Sequence, residues 1–235
     1  MKIKLIAEGS TKWQRFIKRW GISFLIGENV LFDTFGREDI FWRNIKRFKI
    51  DISKIKHVII SHEDWDHIAG LESFLKKNPH VTVYICKQSP LKLKEMILSS
   101  GATLVEVDKL LEITKNVFTL GQMHAVTKRG VLYEQPIGIR TEKGIVVLTG
   151  CAHPGLIAIL DEVKKHFNES IFLIAGGFHL KNSPQEDIDL IIGALKSAGV
   201  QKVVPLHCTG KRAADRMLDA LGEGFMRIKE GDNIM

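Results

Sequence analysis

The most constraining feature of the sequence is a group of metal-binding residue types directly after an apolar run. Residues 56–61 (KHVIIS) predict a β-strand, and His62, Asp64, Asp66 and His67 follow it at once. Burying imidazoles and carboxylates together costs on the order of several kcal/mol per unpaired charge, so such a group requires a cation or a hydrogen-bond network. In an extended chain the first three side chains project to one side, and the fourth joins them only if the chain turns. The segment predicts a metal site; a solvated acidic turn is the alternative.

Three further histidine-containing segments also follow apolar runs. They are 149–155 (TGCAHPG), 175–180 (AGGFHL) and 205–210 (PLHCTG). In layered α/β folds, loops at strand ends are where ligands converge. We therefore expect all four segments to contribute to one site.

The order of predicted elements indicates an α/β fold. Strands and helices alternate in the first hundred residues, and the segment 103–148 has the strand candidates of an antiparallel sheet. Helices are predicted at 156–166, 185–198 and 211–220, with strands between them at 171–175 and 202–205. This mixture predicts sheets covered by helices.

Length and composition favour a single domain spanning residues 1–235, with 45% hydrophobic residues to build its core. Charged residues interrupt the N-terminus too early for a signal peptide, and no uncharged run approaches the roughly 18 residues of a membrane span. Three cysteines do not make a disulfide framework. These features predict a soluble, cytoplasmic protein.

The net charge of +7 favours an anionic partner, such as a phosphorylated or carboxylated small molecule. Nucleic acid is not the expected partner, because no basic run is interleaved with stacking aromatic residues. A generally lysine-rich surface would give the same net charge, so that interpretation stays open.

The motifs together resemble the metallo-β-lactamase superfamily over nearly the whole chain. The segment 61–67 resembles its His-x-His-x-Asp-His signature, and Gly70 and Leu71 stand at the Gly-Leu pair that follows. The run 31–34 (LFDT) resembles an early Asp-Thr-Gly element, although Phe35 intervenes before the glycine, and 149–151 (TGC) resembles a Thr-Gly-Asp element. The pattern is most similar to the dihydropteroate or dihydropterin-ribofuranosyl-aminobenzene-phosphate synthase-like metal-dependent hydrolases.

The resemblance implies a four-layer αββα sandwich and two divalent metal ions, either zinc, iron or manganese. It implies that one ion binds His62, Asp64 and His153, whereas the other binds Asp66, His67 and His207. Asp64 stands where the superfamily usually has histidine; as a harder ligand it shifts the expected preference from zinc toward iron or manganese.

Two positions leave the ligand set open. Cys151 stands where a bridging aspartate is common, so it either binds metal or fills the core beside a strand end. His124 is the alternative to His153 as the sixth ligand. Asp33 is expected to orient a ligating histidine or hold its loop by hydrogen bonds.

The implied reaction is hydrolysis of an ester, lactone or phosphodiester by a metal-bound hydroxide. Asp66 would orient that hydroxide and His179 would contact the substrate or protonate the leaving group. A diiron-type redox enzyme, a metal-dependent nuclease and a non-catalytic metal-binding protein remain the alternatives, because one fold hosts many functions.

Replacing Asp64 with histidine should raise the affinity for zinc relative to that for manganese, because imidazole is a softer ligand than carboxylate. Competitive titration of the metal-free protein with the two ions measures the preference. Glu63→His is the matched control, since it places the same side chain one position away. An unchanged preference in Asp64→His would remove Asp64 from the ligand set.

Overall fold

The computed structural model describes residues 1–17, 19–128 and 130–235, and these form two compact units. Unit 1 contains Met1–Asp108 and Ile228–Met235, and unit 2 contains Lys109–Arg227. Each unit is a six-stranded mixed sheet packed against helices, so the expected α/β class is confirmed. The expectation that residues 1–235 behave as one domain stays a prediction.

The sheet of unit 1 has its strands in sequence order. They are β1 (Ile3–Gly9), β2 (Gly21–Ile26), β3 (Val30–Phe32), β4 (His57–Ile59), β5 (Thr82–Cys86) and β6 (Thr103–Val107). The first three strands pair antiparallel, and the last four pair parallel. Their parallel pairing places the C-terminal ends of β3 and β4 at the same edge, where Asp33 and the 61–67 segment begin.

The helices of unit 1 are α1 (Lys12–Phe16), α2 (Glu38–Arg47), α3 (Trp65–Ile68), α4 (Leu71–Lys77) and α5 (Leu91–Ser99). The longer ones pack apolar faces on the sheet, with Phe41, Phe74 and Ile97 buried against strand residues such as Val58 and Val83. This core holds the sheet edge that carries the histidine and aspartate cluster.

Unit 2 contains a six-stranded sheet and a two-stranded sheet. The larger has the order β14 (Lys202–Leu206), β13 (Ile171–Gly177), β12 (Gly144–Thr149), β11 (Ile137–Thr141), β8 (Val117–Gly121) and β7 (Lys109–Thr114). The smaller pairs β9 (Met123–Thr127) with β10 (Gly130–Glu134). Strands β12, β13 and β14 are parallel neighbours, whereas β7, β8, β11 and β12 are antiparallel.

Three helices cover the larger sheet of unit 2, namely α6 (Leu156–His166), α7 (Gln185–Ser197) and α8 (Lys211–Leu221). Leu160, Ile192 and Met217, one from each helix, are buried in a core that includes Val147 and Ile174 of the sheet. The helices α6 and α7 serve as the crossovers that parallel strands require.

The three helices with predicted bounds, α6, α7 and α8, begin and end within one residue of them, and α6 matches them. One assignment is wrong: β6 was expected in the antiparallel sheet but pairs parallel with β5, because helix α5 returns the chain in the same direction. Helix α2 and strands β7, β9 and β10 were not predicted. In the described part of the chain, no helix has both the length and the apolar character to cross a membrane.

Gly21, at the start of β2, packs against the backbone of the candidate metal-binding segment 61–67. Its φ is +112°, and a Cβ there would lie 1.8 Å from the carbonyl oxygen of Asp66. Only glycine fits this approach without moving the backbone that carries Asp66.

Gly21→Ala should lower the free energy of unfolding by about 2–5 kcal/mol, from the positive φ together with the overlap. Gly27→Ala is the control, since Gly27 also has a positive φ but a Cβ there would meet no atom closer than 3.6 Å. Its expected loss is about 1 kcal/mol. Denaturant unfolding measures both, and equal losses would show that the contact with Asp66 is unimportant.

Candidate metal centre

The candidate metal-binding segment of unit 1, residues 61–67, turns at the position that the predicted ligand set requires. The chain is extended at Asp64 (φ −61°, ψ 140°) and then enters α3, whose first turn contains Asp66 and His67. The turn places the His62 and His67 rings with their centroids 4.1 Å apart. His67 therefore joins the other candidate ligands.

Asp33 holds this cluster in place from the end of β3. Its carboxylate accepts the Ser61 backbone N–H at 2.7 Å, the Ser61 hydroxyl at 2.7 Å and Nδ1 of His67 at 2.6 Å. All three residues are fully buried. Because a carboxylate can only accept, Nδ1 of His67 carries the proton and Nε2 has the lone pair that a metal needs. The expected hydrogen bonds from this segment to Asp33 are confirmed.

Each histidine of the cluster has an aspartate beside it. Nε2 of His62 lies 3.9 Å from Oδ2 of Asp64, and Nε2 of His67 lies 3.6 Å from Oδ2 of Asp66. Asp66 is buried, whereas Asp64 is partly exposed. Two imidazoles and two carboxylates fit a divalent first-row metal ion by their chemistry.

The insertion of Phe35 also has a structural explanation. Asp33 and Phe35 both adopt left-handed backbone conformations, with φ of +55° and +63°. The Phe35 side chain is buried in the unit 1 core, and Gly36 then passes so close to Trp20 that a Cβ would lie 2.4 Å from its carbonyl oxygen. The extra residue is therefore accommodated as a core side chain.

In unit 2, the three other predicted segments lie side by side. They follow β12, β13 and β14, which are adjacent parallel strands, so their loops leave the same edge of the sheet. These loops contain Cys151 and His153, then His179, then His207 and Cys208.

Hydrogen bonds join the three loops. The Thr149 hydroxyl donates to the Gly177 carbonyl at 2.8 Å, and the Phe178 N–H donates to the Thr209 hydroxyl at 3.1 Å. Gly176 and Gly177 permit the close approach, because a Cβ at either would lie within 2.4 Å of a carbonyl oxygen on the β12 side. The glycine pair therefore serves loop packing.

The imidazoles of unit 2 differ in exposure. His207 is fully buried, His153 is half-buried and His179 is exposed. The ring centroids of His153 and His179 lie 4.3 Å apart. His179 can therefore reach a ligand from solvent beside a half-buried imidazole.

The Cys208 sulfur lies among polar groups. Burial raises the pKa of the Cys208 thiol, but a hydrogen bond from Cys151 and the nearby imidazoles of His207 and His179 outweigh it. The pKa therefore lies well below its usual range.

Sequence reasoning missed Glu134, the last residue of β10. Its side chain is fully buried, and its carboxylate accepts the backbone N–H groups of Cys151, Ala152 and His153 at 2.8–2.9 Å. Three amide donors compensate a buried carboxylate. In the sequence Glu134 stands between two strands like an ordinary polar turn residue, so no local signal identifies it.

The remaining histidines have other surroundings. His124 lies exposed on β9 with its ring 6.4 Å from that of Tyr133. Nδ1 of His57 is 3.1 Å from the Tyr84 hydroxyl, and burial lowers the pKa of His57. Nε2 of His166 lies 2.7 Å from Glu162 on the same helix.

Comparison with known proteins identifies the family. The profile of the metallo-beta-lactamase superfamily matches residues 23–163, which include the segment 61–67 and the loop after β12. The chain belongs to the metallo-beta-lactamase superfamily. The expected family and its fold are therefore confirmed.

Two similar proteins match nearly the full length of the chain. The first is 7,8-dihydropterin-6-methyl-4-(beta-D-ribofuranosyl)-aminobenzene-5'-phosphate synthase of Methanocaldococcus jannaschii, 29% identical over 98% of this chain and 95% of that protein. The second is the structure of a metal-dependent hydrolase of the beta-lactamase superfamily, with a TM-score of 0.80 and 29% identity over 100% of this chain and 98% of that one.

The structure of the metallo-beta-lactamase fold protein YhfI from Bacillus subtilis is also similar, with a TM-score of 0.68 over 99% of this chain and 97% of that one. Its identity is 14%, so it shows the fold alone.

Glu134→Ala should lower the free energy of unfolding by about 3 kcal/mol or more, because three buried N–H groups lose their acceptor at about 1–3 kcal/mol each. Glu134→Gln should lose less, since its amide oxygen still accepts. Glu142→Ala, an exposed glutamate of the same unit, is the control and should change stability by less than about 0.5 kcal/mol. Urea unfolding midpoints test the order; a Glu134→Ala midpoint equal to the control would refute the anchoring role.

Proposed function

We propose that this chain is a metal-dependent hydrolase with two divalent metal ions, bound by His62, Asp64 and His153 and by Asp66, His67 and His207. The observation that carries the proposal is the hydrogen bond from Nδ1 of His67 to the buried Asp33 carboxylate. Metal-ligating histidines commonly donate their second ring N–H to a carboxylate in this way. Superfamily membership supports the same ligand set.

The side chains available in both units are of the types that bind divalent metal ions. Unit 1 offers two imidazoles and two carboxylates, and unit 2 offers His153 and His207 from loops that are hydrogen-bonded together. A carboxylate at position 64 favours iron or manganese over zinc. Cys151 is the alternative ligand for the second ion.

Such ions, when bound, supply Lewis-acid activation of water and of the substrate oxygen. The buried Asp66 carboxylate would orient the attacking water by accepting its hydrogen bond. His179, exposed beside His153, would give a proton to the leaving group. The expected substrate is a small ester, lactone or phosphodiester, and the net charge of +7 favours an anionic one.

The relative from Methanocaldococcus jannaschii supports a second candidate function. It is a synthase whose named product carries a 5'-phosphate, and the match spans almost the whole of both chains. A synthase reaction on a phosphate-bearing substrate would use the same ligands and would also suit a basic protein.

The first test is elemental analysis of protein purified without added metal, for the wild type and for His62→Ala and His207→Ala. We expect iron, manganese or zinc in the wild type and less of it in each variant. His80→Ala is the control, because His80 is exposed and assigned no role. A wild type that binds no metal even after reconstitution would refute the proposal.

The second test is turnover of bis(4-nitrophenyl) phosphate and 4-nitrophenyl esters by the metal-loaded protein. Asp66→Ala should lose about 100-fold or more in kcat/KM, as expected when a group that orients the nucleophile is removed. Metal binding without turnover of any such substrate would favour the synthase or a non-catalytic role. Equal turnover by wild type and Asp66→Ala would exclude Asp66 from the reaction.

A further inference from the structure

We propose that the substrate is an anion that carries a planar aromatic ring, and that Trp65, Trp13 and Phe16 form the surface on which this ring stacks. The inference rests on the proposed function, because it names the substrate class for the same site. All three side chains belong to unit 1.

Trp65 stands between two candidate metal ligands, Asp64 and Asp66, as the first residue of α3. One edge of its ring packs on Gly36, where a Cβ would lie 2.8 Å from the indole. Trp65 is nevertheless 43% exposed, whereas tryptophan usually buries most of its large apolar surface. The indole therefore offers a fixed apolar surface one residue from each of the two candidate ligands.

Trp13 and Phe16 form a second exposed aromatic surface, on helix α1. Their rings are stacked, with centroids 5.7 Å apart and planes 25° apart, and the two residues are 67% and 79% exposed. The start of this short helix is fixed by a capping box, in which Thr11 and Gln14 each accept the backbone N–H of the other. Because apolar rings in water are unfavourable, a bound ring that covered them would be stabilised.

The connection that contains α1 lies at the same sheet edge as the candidate ligands. Strand β1 ends at Gly9 and β2 begins at Gly21, and these two residues pair with each other. Because β2 is antiparallel to β3, the start of β2 lies at the edge where β3 ends and Asp33 follows. A Cβ on Gly21 would lie 1.8 Å from the carbonyl oxygen of Asp66, so the connection reaches the candidate ligand segment itself.

Two hydrogen bonds join the end of this connection to the backbone that supports Trp65. The Gly36 N–H donates to the Trp20 carbonyl at 3.1 Å, and the Arg37 guanidinium donates to the Ile17 carbonyl at 3.2 Å. Since Gly36 also contacts the Trp65 ring, one short piece of chain holds both aromatic surfaces. They therefore belong to the same part of unit 1.

The charge around α1 favours an anionic ligand. Residues 9–27 contain two lysines and two arginines but no aspartate or glutamate. Arg15 is exposed, and its guanidinium lies 5.6 Å from the centroid of the Trp20 ring. A planar ring that bears a phosphate or carboxylate would use both the aromatic surfaces and the positive charge, whereas a saturated anion would use the charge alone.

The first measurement is calorimetric titration of the metal-free full-length protein with phenyl phosphate, and with cyclohexyl phosphate as its saturated match. We expect phenyl phosphate to bind at least about fivefold more tightly, because stacking on an aromatic side chain contributes this much or more. Trp65→Leu should lose most of this preference, and Trp65→Phe, which keeps an aromatic ring, should retain it. Phe172→Leu is the control, since Phe172 is a partly exposed aromatic residue at the start of β13.

The second measurement locates the bound ring. In the metal-loaded protein, phenyl phosphate should inhibit turnover of bis(4-nitrophenyl) phosphate competitively, with a lower inhibition constant than cyclohexyl phosphate. Tight binding of phenyl phosphate without inhibition would overturn the proposal, because the ring would then bind elsewhere. A metal-loaded protein without turnover would refute the hydrolase instead, and the calorimetric preference and its loss in Trp65→Leu would still decide this inference.

Equal affinity of the wild type for the two phosphates would overturn the proposal. A preference that survives both in Trp65→Leu and in the Trp13→Leu/Phe16→Leu double variant would do the same. Sedimentation velocity and cosedimentation with phosphatidylglycerol vesicles test the other occupants of α1. A dimer or a vesicle complex that only the double variant loses would assign Trp13 and Phe16 to a second copy or to a lipid surface, and would overturn their part in substrate binding.

Discussion

The interaction on which the unit 1 site depends is the hydrogen-bonded contact between the buried Asp33 carboxylate, Ser61 and His67. A buried carboxylate needs several donors, and Asp33 obtains them from Ser61 and His67, at the two ends of the segment that carries the candidate metal ligands. Removing one of these donors would leave the buried carboxylate partly unsatisfied, at a cost of about 1–3 kcal/mol. The same hydrogen bonds that compensate the Asp33 charge also orient the His67 ring. They therefore contribute both to stability and to the geometry of this candidate ligand.

In unit 2, backbone N–H groups compensate a buried carboxylate, that of Glu134. Glu134 accepts three consecutive N–H groups from the loop that carries Cys151 and His153, and the loops after β13 and β14 are hydrogen-bonded to each other and to β12. Rigid loops matter because a metal ligand must be held close to its productive geometry before the ion binds. The glycines at 176 and 177 contribute by letting the backbones approach.

Much of the fold and of the site was predictable from the sequence, and the exceptions have physical causes. Helices such as α6 and apolar strands such as β5 have strong periodic patterns, so local sequence identifies them. Strands β9 and β10 form a two-stranded sheet in which most residues are exposed or only partly buried, so their sequences lack the apolar run that marks a core strand. Strand β6 was found, but its parallel pairing depends on where helix α5 returns the chain, which no local pattern records.

The sequence by itself determined the family, the α/β class and the candidate histidine and aspartate residues. It could do so because residue type and spacing along the chain are local properties. Only the tertiary structure decided that Asp33 hydrogen-bonds His67, that Glu134 holds the 151–153 backbone and that Cys151 and Cys208 lie together with His179. These contacts join residues 17 to 57 positions apart in the chain. They exist because strand pairing and helix packing bring distant strand ends to one edge, and burial then requires each polar group there to find a partner.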